Sequence, residues 1–228
     1  MGDDPYEMGR LTFVVRPANG APGECDEPLG LDAGRDGVLY VPETAGPRAP
    51  LLVFLHGAMG SGRAHLRAVL AAVDRYGVIL VAPDSRGPTW DLIADRRFGP
   101  DVAFLDKVLD AVVDRLDADT KRMAIGGVSD GASYALSIGL TNGDVFPTLL
   151  AFSPGFLVAP YPTGAPRVFI SHGRADPVLP IDGCSRSFVP SLRAAGHEVN
   201  FREFDGGHTV PPPVSDEAVR WWLDGAPS

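Results

Sequence analysis

The stretch Arg122-Met123-Ala124-Ile125-Gly126-Gly127-Val128-Ser129-Asp130-Gly131-Ala132-Ser133-Tyr134-Ala135-Leu136-Ser137-Ile138 decides how this chain is read. Its first five residues are a short apolar run that predicts a strand, and its last seven have helical composition. Between them lies Gly127-Val128-Ser129-Asp130-Gly131. A serine pinched between strand and helix sits on a sharp, strained turn. Glycines flank it because a Cβ there would meet neighbouring backbone. The hydroxyl is then presented to open space above a helix N-terminus, where developing negative charge is stabilised. The five-residue pattern alone is common by chance, so reading Ser129 as a nucleophile requires the strand before it and the helix after it. It also requires an acid, a histidine and an oxyanion hole from elsewhere in the chain.

Outward from this turn, apolar runs predict strands at 11–15, 37–41, 51–55, 78–82, 148–152, 168–171 and 199–204. Helical spacing predicts helices at 63–76, 101–116, 182–195 and 214–224. Residues 17–36 and 84–100 read as loops and 1–9 as a flexible end. Strands alternating with helices imply an α/β protein with a mostly parallel, doubly wound sheet flanked by helices. Without an internal repeat or linker, residues 1–228 read as a single domain, and the short stretch after the elbow helix leaves no room for a large cap.

The 228 residues carry 29 acidic and 20 basic side chains, for a net charge of −9. That balance argues against nucleic acid and anionic membranes, both of which call for a basic face. No apolar run approaches the ~20 residues of a membrane span. The acidic N-terminus lacks a signal-peptide core, so the expected location is cytoplasmic. Two cysteines, Cys25 and Cys184, make neither a metal cluster nor a disulfide framework and are expected to stay reduced. No metal and no organic cofactor is expected, and the assembly is expected to be a monomer or homodimer.

A serine on such an elbow is followed along the chain by its acid and then its histidine. His208, in Asp205-Gly206-Gly207-His208-Thr209, comes just past the last predicted strand, where glycines let the loop turn back over the sheet's C-terminal edge. His197 precedes that strand and belongs to the opposite edge. Asp176 follows the strand at 168–171, and Pro177 stiffens its loop. Residues 153–166 contain no Asp or Glu, so the acid does not come one strand earlier. Asp182, read as a helix N-cap, and Asp205, close in sequence to His208, are the rivals. The turn His56-Gly57-Ala58-Met59-Gly60 offers backbone N–H groups for an oxyanion. Ala58 is the first choice and Met59 the second, with the Asp130 N–H as the other donor. His56 reads as structural, holding the turn through its ring nitrogens. Pocket walls are expected from Met59, Trp90, Phe156, Val178, Leu179 and Val210, while Arg86 and Arg174 read as solvated unless they bind a substrate carboxylate.

His56-Gly57, the Ser129 elbow, Asp176 and Gly207-His208 together resemble the α/β-hydrolase superfamily. The capless build and Asp176-Pro177-Val178-Leu179-Pro180 resemble its phospholipase/carboxylesterase branch, which is acyl-protein thioesterase-like. Residues 82–91 are similar to bacterial predicted serine esterases of that branch. The likeness runs from about residue 49 onward. In acyl-protein thioesterases the residue after the serine is usually Gln, where this chain has Asp130. The resemblance implies a serine carboxylesterase: Ser129 attacks a small-molecule ester, His208 acts as base and Asp176 orients it. Short-to-medium acyl esters are the expected substrates, with thioesters and polyester or feruloyl esters as alternatives. A serine peptidase or a non-catalytic ligand-binding relative of the same fold are the remaining readings.

Overall fold

Leu51 to Leu55 are wholly buried, as a central strand covered on both faces must be. The computed structural model describes residues 4–18, 20, 23 and 25–225. Its strands are β1 (Cys25–Pro28), β2 (Gly37–Val41), β3 (Ala49–Leu55), β4 (Ile79–Pro83), β5 (Ala118–Val128), β6 (Thr148–Phe152), β7 (Arg167–Gly173) and β8 (Val199–Phe204). They form one sheet in the order β1-β2-β4-β3-β5-β6-β7-β8. β1 and β2 join it antiparallel, and every pairing from β4 to β8 is parallel. The helices are α1 (Gly62–His65), α2 (Leu70–Tyr76), α3 (Asp91–Ala94), α4 (Pro100–Arg115), α5 (Asp130–Thr141), α6 (Ser185–Ala194) and α7 (Pro212–Asp224). Side chains of α4, α5 and α6 fill one face of the sheet, and those of α2 and α7 fill the other.

Leu11 and Phe13 are buried, but residues 11–15 are not a strand. Their backbone is satisfied by side chains instead of a ladder. The Asp106 carboxylate accepts the N–H groups of Thr12 at 2.8 Å and Phe13 at 2.9 Å, and Asn142 Oδ1 accepts that of Leu11 at 2.9 Å. An edge strand, β1, forms inside the stretch that reads as a loop. Of the N-terminal residues expected to be flexible, 1–3 lie outside the described residues. Pro5–Met8 form a 3-10 turn capped by Asp4, whose carboxylate accepts the Tyr6 N–H at 3.0 Å.

The helix expected at 63–76 is broken by a 3-10 turn at Leu66–Ala68. Buried Leu66, Val69 and Ala72 recur every three residues; three residues per turn keeps them on one face. The next expected helix, 182–195, starts at Ser185 with Cys184 at its N-cap. Asp182 does not cap it, because its carboxylate pairs with Arg186 at 2.8 Å. Cys25 and Cys184 are both free thiols. No described helix is long and apolar enough to cross a membrane.

The stretch 84–100 is tied down from within, and it matters because it braces the site. Asp101 Oδ1 accepts the Arg86 N–H at 2.5 Å, and its Oδ2 accepts the Asp91 N–H at 2.6 Å. Asp91 accepts in return from the Asp101 N–H at 2.9 Å and from the Tyr134 hydroxyl at 3.0 Å. Burial pushes the Asp101 carboxyl up to about 6, the backbone donors offsetting only part of it. Asp101 therefore holds its proton more tightly folded than unfolded. Its contribution to stability is complete below its ordinary value near 4 and is lost as pH rises through about 6. The urea stability of the wild type minus that of Asp101→Asn is expected to fall by up to about 3 kcal/mol between pH 4 and pH 7. A difference that stays flat with pH overturns the assignment.

Candidate active site

β5 ends and α5 begins at Ser129, which has φ 58° and ψ −121°. This is a sparsely populated region for a residue with a Cβ, held because the surroundings leave no alternative. The Ser129 N–H donates to the Phe152 carbonyl at 2.9 Å. The flanking positions admit glycine alone: a Cβ on Gly127 would stand 2.5 Å from the Gly131 carbonyl oxygen, and one on Gly131 2.2 Å from that of Leu55. Ser129 is half-buried and opens on a cavity of about 450 Å³ lined also by Gly57, Ala58, His65, Val128, His208 and Val210.

Asp176 follows β7 and His208 follows β8, and the parallel pairing of the two strands brings their C-terminal ends together. His208 Nδ1 lies 2.6 Å from Asp176 Oδ2. Asp176 Oδ1 accepts the N–H groups of Val178 and Leu179, each at 2.9 Å. Burial pushes this carboxyl up, but the Leu179 N–H, the His208 ring and the Val178 N–H outweigh it and hold it below its ordinary value. His172 sits behind, with Nε2 at 2.8 Å from the Leu179 carbonyl and Nδ1 at 2.7 Å from Ser185 Oγ. Burial lowers its basicity. Of the rival acids, Asp205 pairs with Arg174 at 2.7 Å and Asp182 with Arg186. His197 lies at the start of β8 with Nδ1 at 3.0 Å from the Pro166 carbonyl, away from the cavity. No hydrogen bond joins Ser129 to His208 among the described residues; such contacts are often long before substrate binds.

The His56 turn is built by its ring. Nε2 accepts the Ser85 N–H at 3.0 Å, so Nδ1 carries the proton and donates to the Gly57 carbonyl at 2.7 Å. Burial lowers the ring's basicity, which keeps it neutral for this role. Met59 does not offer an oxyanion donor: its N–H is spent on the Pro88 carbonyl at 2.7 Å. The N–H groups of Ala58 and Asp130 have no acceptor among the described residues. The Asp130 carboxylate accepts the Thr89 hydroxyl at 2.6 Å.

Val178 and Val210 line the cavity, but four of the expected pocket residues do not. Trp90 is 1% exposed: its indole N–H donates to the His56 carbonyl at 2.8 Å and its face stacks on Tyr134 with centroids 5.0 Å apart. It props the turn from beneath because both its polar edge and its face are already occupied. Met59 is 82% exposed, turned outward by the bond its N–H makes to Pro88. Phe156 lines a separate groove of about 470 Å³ with Leu157, Phe188 and Leu192. Leu179 is held by its backbone to Asp176 and His172, and its side chain lies against Gly155. Neither arginine is free for a substrate carboxylate. Arg86 pairs with Asp32 and lies 3.5 Å over the Phe104 ring, and Arg174 pairs with Glu203 and Asp205. Among the described residues no cluster of His, Cys, Asp or Glu is placed to hold a metal ion.

Solved structures with this layout include esterases. A carboxylesterase from Mesorhizobium loti matches with a TM-score of 0.65 at 22% identity, covering 89% of this chain and all 100% of that one. A phospholipase/carboxylesterase from Dyadobacter fermentans matches with a TM-score of 0.61 at 16% identity, covering 83% of this chain and 97% of that one. The chain has the α/β-hydrolase fold. No protein-family model matches it. Among curated proteins, feruloyl esterase C of Emericella nidulans is 26% identical over 214 residues, 78% of each chain. A probable feruloyl esterase C of Aspergillus oryzae is 28% identical over 160 residues, and the match spans 58% of that protein's length.

Two residues at the candidate site carry no sequence signal. Arg35, in a stretch that reads as a loop, donates through Nη2 to the Gly60 carbonyl at 2.9 Å and through Nε to the Ser85 carbonyl. It ties the His56 turn to the end of β4. His65 lines the cavity from a helix whose helical spacing alone is visible in the sequence.

Proposed function

We propose that this chain is a serine carboxylic ester hydrolase acting on short-to-medium acyl esters through Ser129, His208 and Asp176. The carrying observation is the 2.6 Å Asp176–His208 contact opening on the same cavity as the strained Ser129. In this reading Ser129 Oγ attacks the ester carbonyl as His208 Nε2 takes its proton. The tetrahedral oxyanion rests on the Ala58 and Asp130 N–H groups, and loss of one such donor costs about 3 kcal/mol of transition-state stabilisation. Collapse expels the alcohol, which receives the proton from His208. Water then attacks the acyl-enzyme with His208 again as base, releasing the acid and restoring Ser129. Asp176 holds the imidazole in the Nδ1–H tautomer and stabilises the imidazolium.

The test is labelling with a fluorophosphonate, followed by p-nitrophenyl esters from acetate to palmitate. Ser129 is expected to label, and acetate to hexanoate to be cleaved faster than palmitate, because the cavity is only about 450 Å³. A palmitate preference overturns the size reading, and a protein whose Ser129 does not label is a binding relative. A feruloyl ester is the second reading, favoured by the likeness to the Emericella nidulans enzyme over 214 residues. Methyl ferulate in the same panel distinguishes the two.

A further inference from the structure

His65 faces the nucleophile but takes part in none of the steps above. It ends α1, whose first turn is capped by Ser61 Oγ accepting the Ala64 N–H at 3.3 Å. Ring Nδ1 lies 3.3 Å from the Ser61 carbonyl oxygen. A carbonyl can only accept, so Nδ1 carries the proton, and in that tautomer Nε2 presents a lone pair. No group among the described residues donates to that lone pair. Gly57 fixes where it stands: the point a Gly57 Cβ would occupy is 3.5 Å from His65 Nε2 and 3.4 Å from Ser129 Cβ. The missing side chain leaves a gap with the nucleophile on one side and the imidazole on the other. Nearby walls of the same cavity, Ala64, Ala68, Val128 and Val210, carry no polar side-chain atom.

We propose that His65 is a specificity-determining residue that selects esters bearing a hydroxyl close to the scissile carbonyl, which it reads through Nε2. This rests on the serine-esterase reading. A lone pair without a donor calls for one. An ether or ketone oxygen there supplies only more lone pairs. A carboxylate supplies none of the needed protons and is disfavoured by a chain of net charge −9. A hydroxyl donates and is neutral. It can sit on the acyl group, as in a short 3-hydroxyacyl ester, or on the alcohol, as in a monoester of a vicinal polyol.

The experiment measures kcat/KM for ethyl 3-hydroxybutyrate against ethyl butyrate and for glyceryl monobutyrate against propyl butyrate. Ethyl 3-methoxybutyrate is the ether control. Wild type is expected to favour at least one hydroxylated ester over its counterpart by about tenfold, the value of one hydrogen bond in the site, and to show no preference for the methoxy ester. Which pair responds locates the hydroxyl. In His65→Leu the ratio falls to about one, and in His65→Gln, whose Oε1 accepts, it lies between. The ratio is unaffected by how much of a variant is folded. No hydroxyl preference in wild type, an equal preference for the methoxy ester, or a preference surviving in His65→Leu overturns the proposal alone. Cleavage of none of these esters overturns the esterase reading and the proposal with it.

Discussion

Ser129→Ala is expected to lower kcat on p-nitrophenyl butyrate by at least about 10⁴-fold while the protein stays folded. The loss is this large because the alcohol forms the acyl bond itself. What remains is whatever rate the oxyanion donors and binding give a water molecule. Removing Oγ breaks no internal hydrogen bond, since the backbone N–H of Ser129 still donates to Phe152 and its carbonyl still accepts from Ala132 and Ser133. Ser129→Gly separates strain from chemistry. Glycine takes φ 58° without steric cost, so this variant should be as inactive as the alanine one yet more stable by about 1 kcal/mol in urea denaturation. Retained esterase activity in either variant overturns the elbow assignment.

Asp176→Asn is expected to lower kcat by about 10⁴-fold with little change in KM. Here the surrounding hydrogen bonds dictate which way the amide turns. The Val178 and Leu179 N–H groups both point at Oδ1, so the amide oxygen must face them. The amide NH₂ then replaces Oδ2 opposite His208 Nδ1. Two donors cannot share that bond, so His208 gives up its Nδ1 proton and carries it on Nε2 instead. In that tautomer Nε2 has no lone pair for the Ser129 proton. The fold should persist, because every backbone donor keeps its acceptor. The check is kcat alongside a thermal melt: a fall of less than about tenfold in a folded variant would show that Asp176 does not orient the base.

The strand-to-helix turn at Ser129 and the positions of Asp176 and His208 were legible because each stands next to a strand end in the sequence. A strand is a local apolar run, and in a parallel sheet all such ends emerge on one edge. Ser129 after β5, Asp176 after β7 and His208 after β8 share one edge of the sheet for that reason. The helix expected at 101–116 and the strand expected at 199–204 were legible for the same kind of reason, since their patterns are local. Residues 11–15 were misread because an apolar run is silent on where the backbone hydrogen bonds go, here to Asp106 and Asn142. Trp90 was misplaced because an aromatic in a long loop looks available, whereas its indole edge and face are taken by His56 and Tyr134.

By itself the sequence determined the α/β class, the order of Ser129, Asp176 and His208 along the chain, and the absence of Asp and Glu from residues 153–166. These follow from composition and spacing along one chain. Only the tertiary structure removed Met59 as a donor, because its N–H bonds to Pro88, far away in sequence. It alone brought Arg35 beneath the His56 turn and set His65 across Gly57 from Ser129. Such pairings depend on where loops land once the sheet has formed, and a loop has no periodicity from which its neighbours can be read.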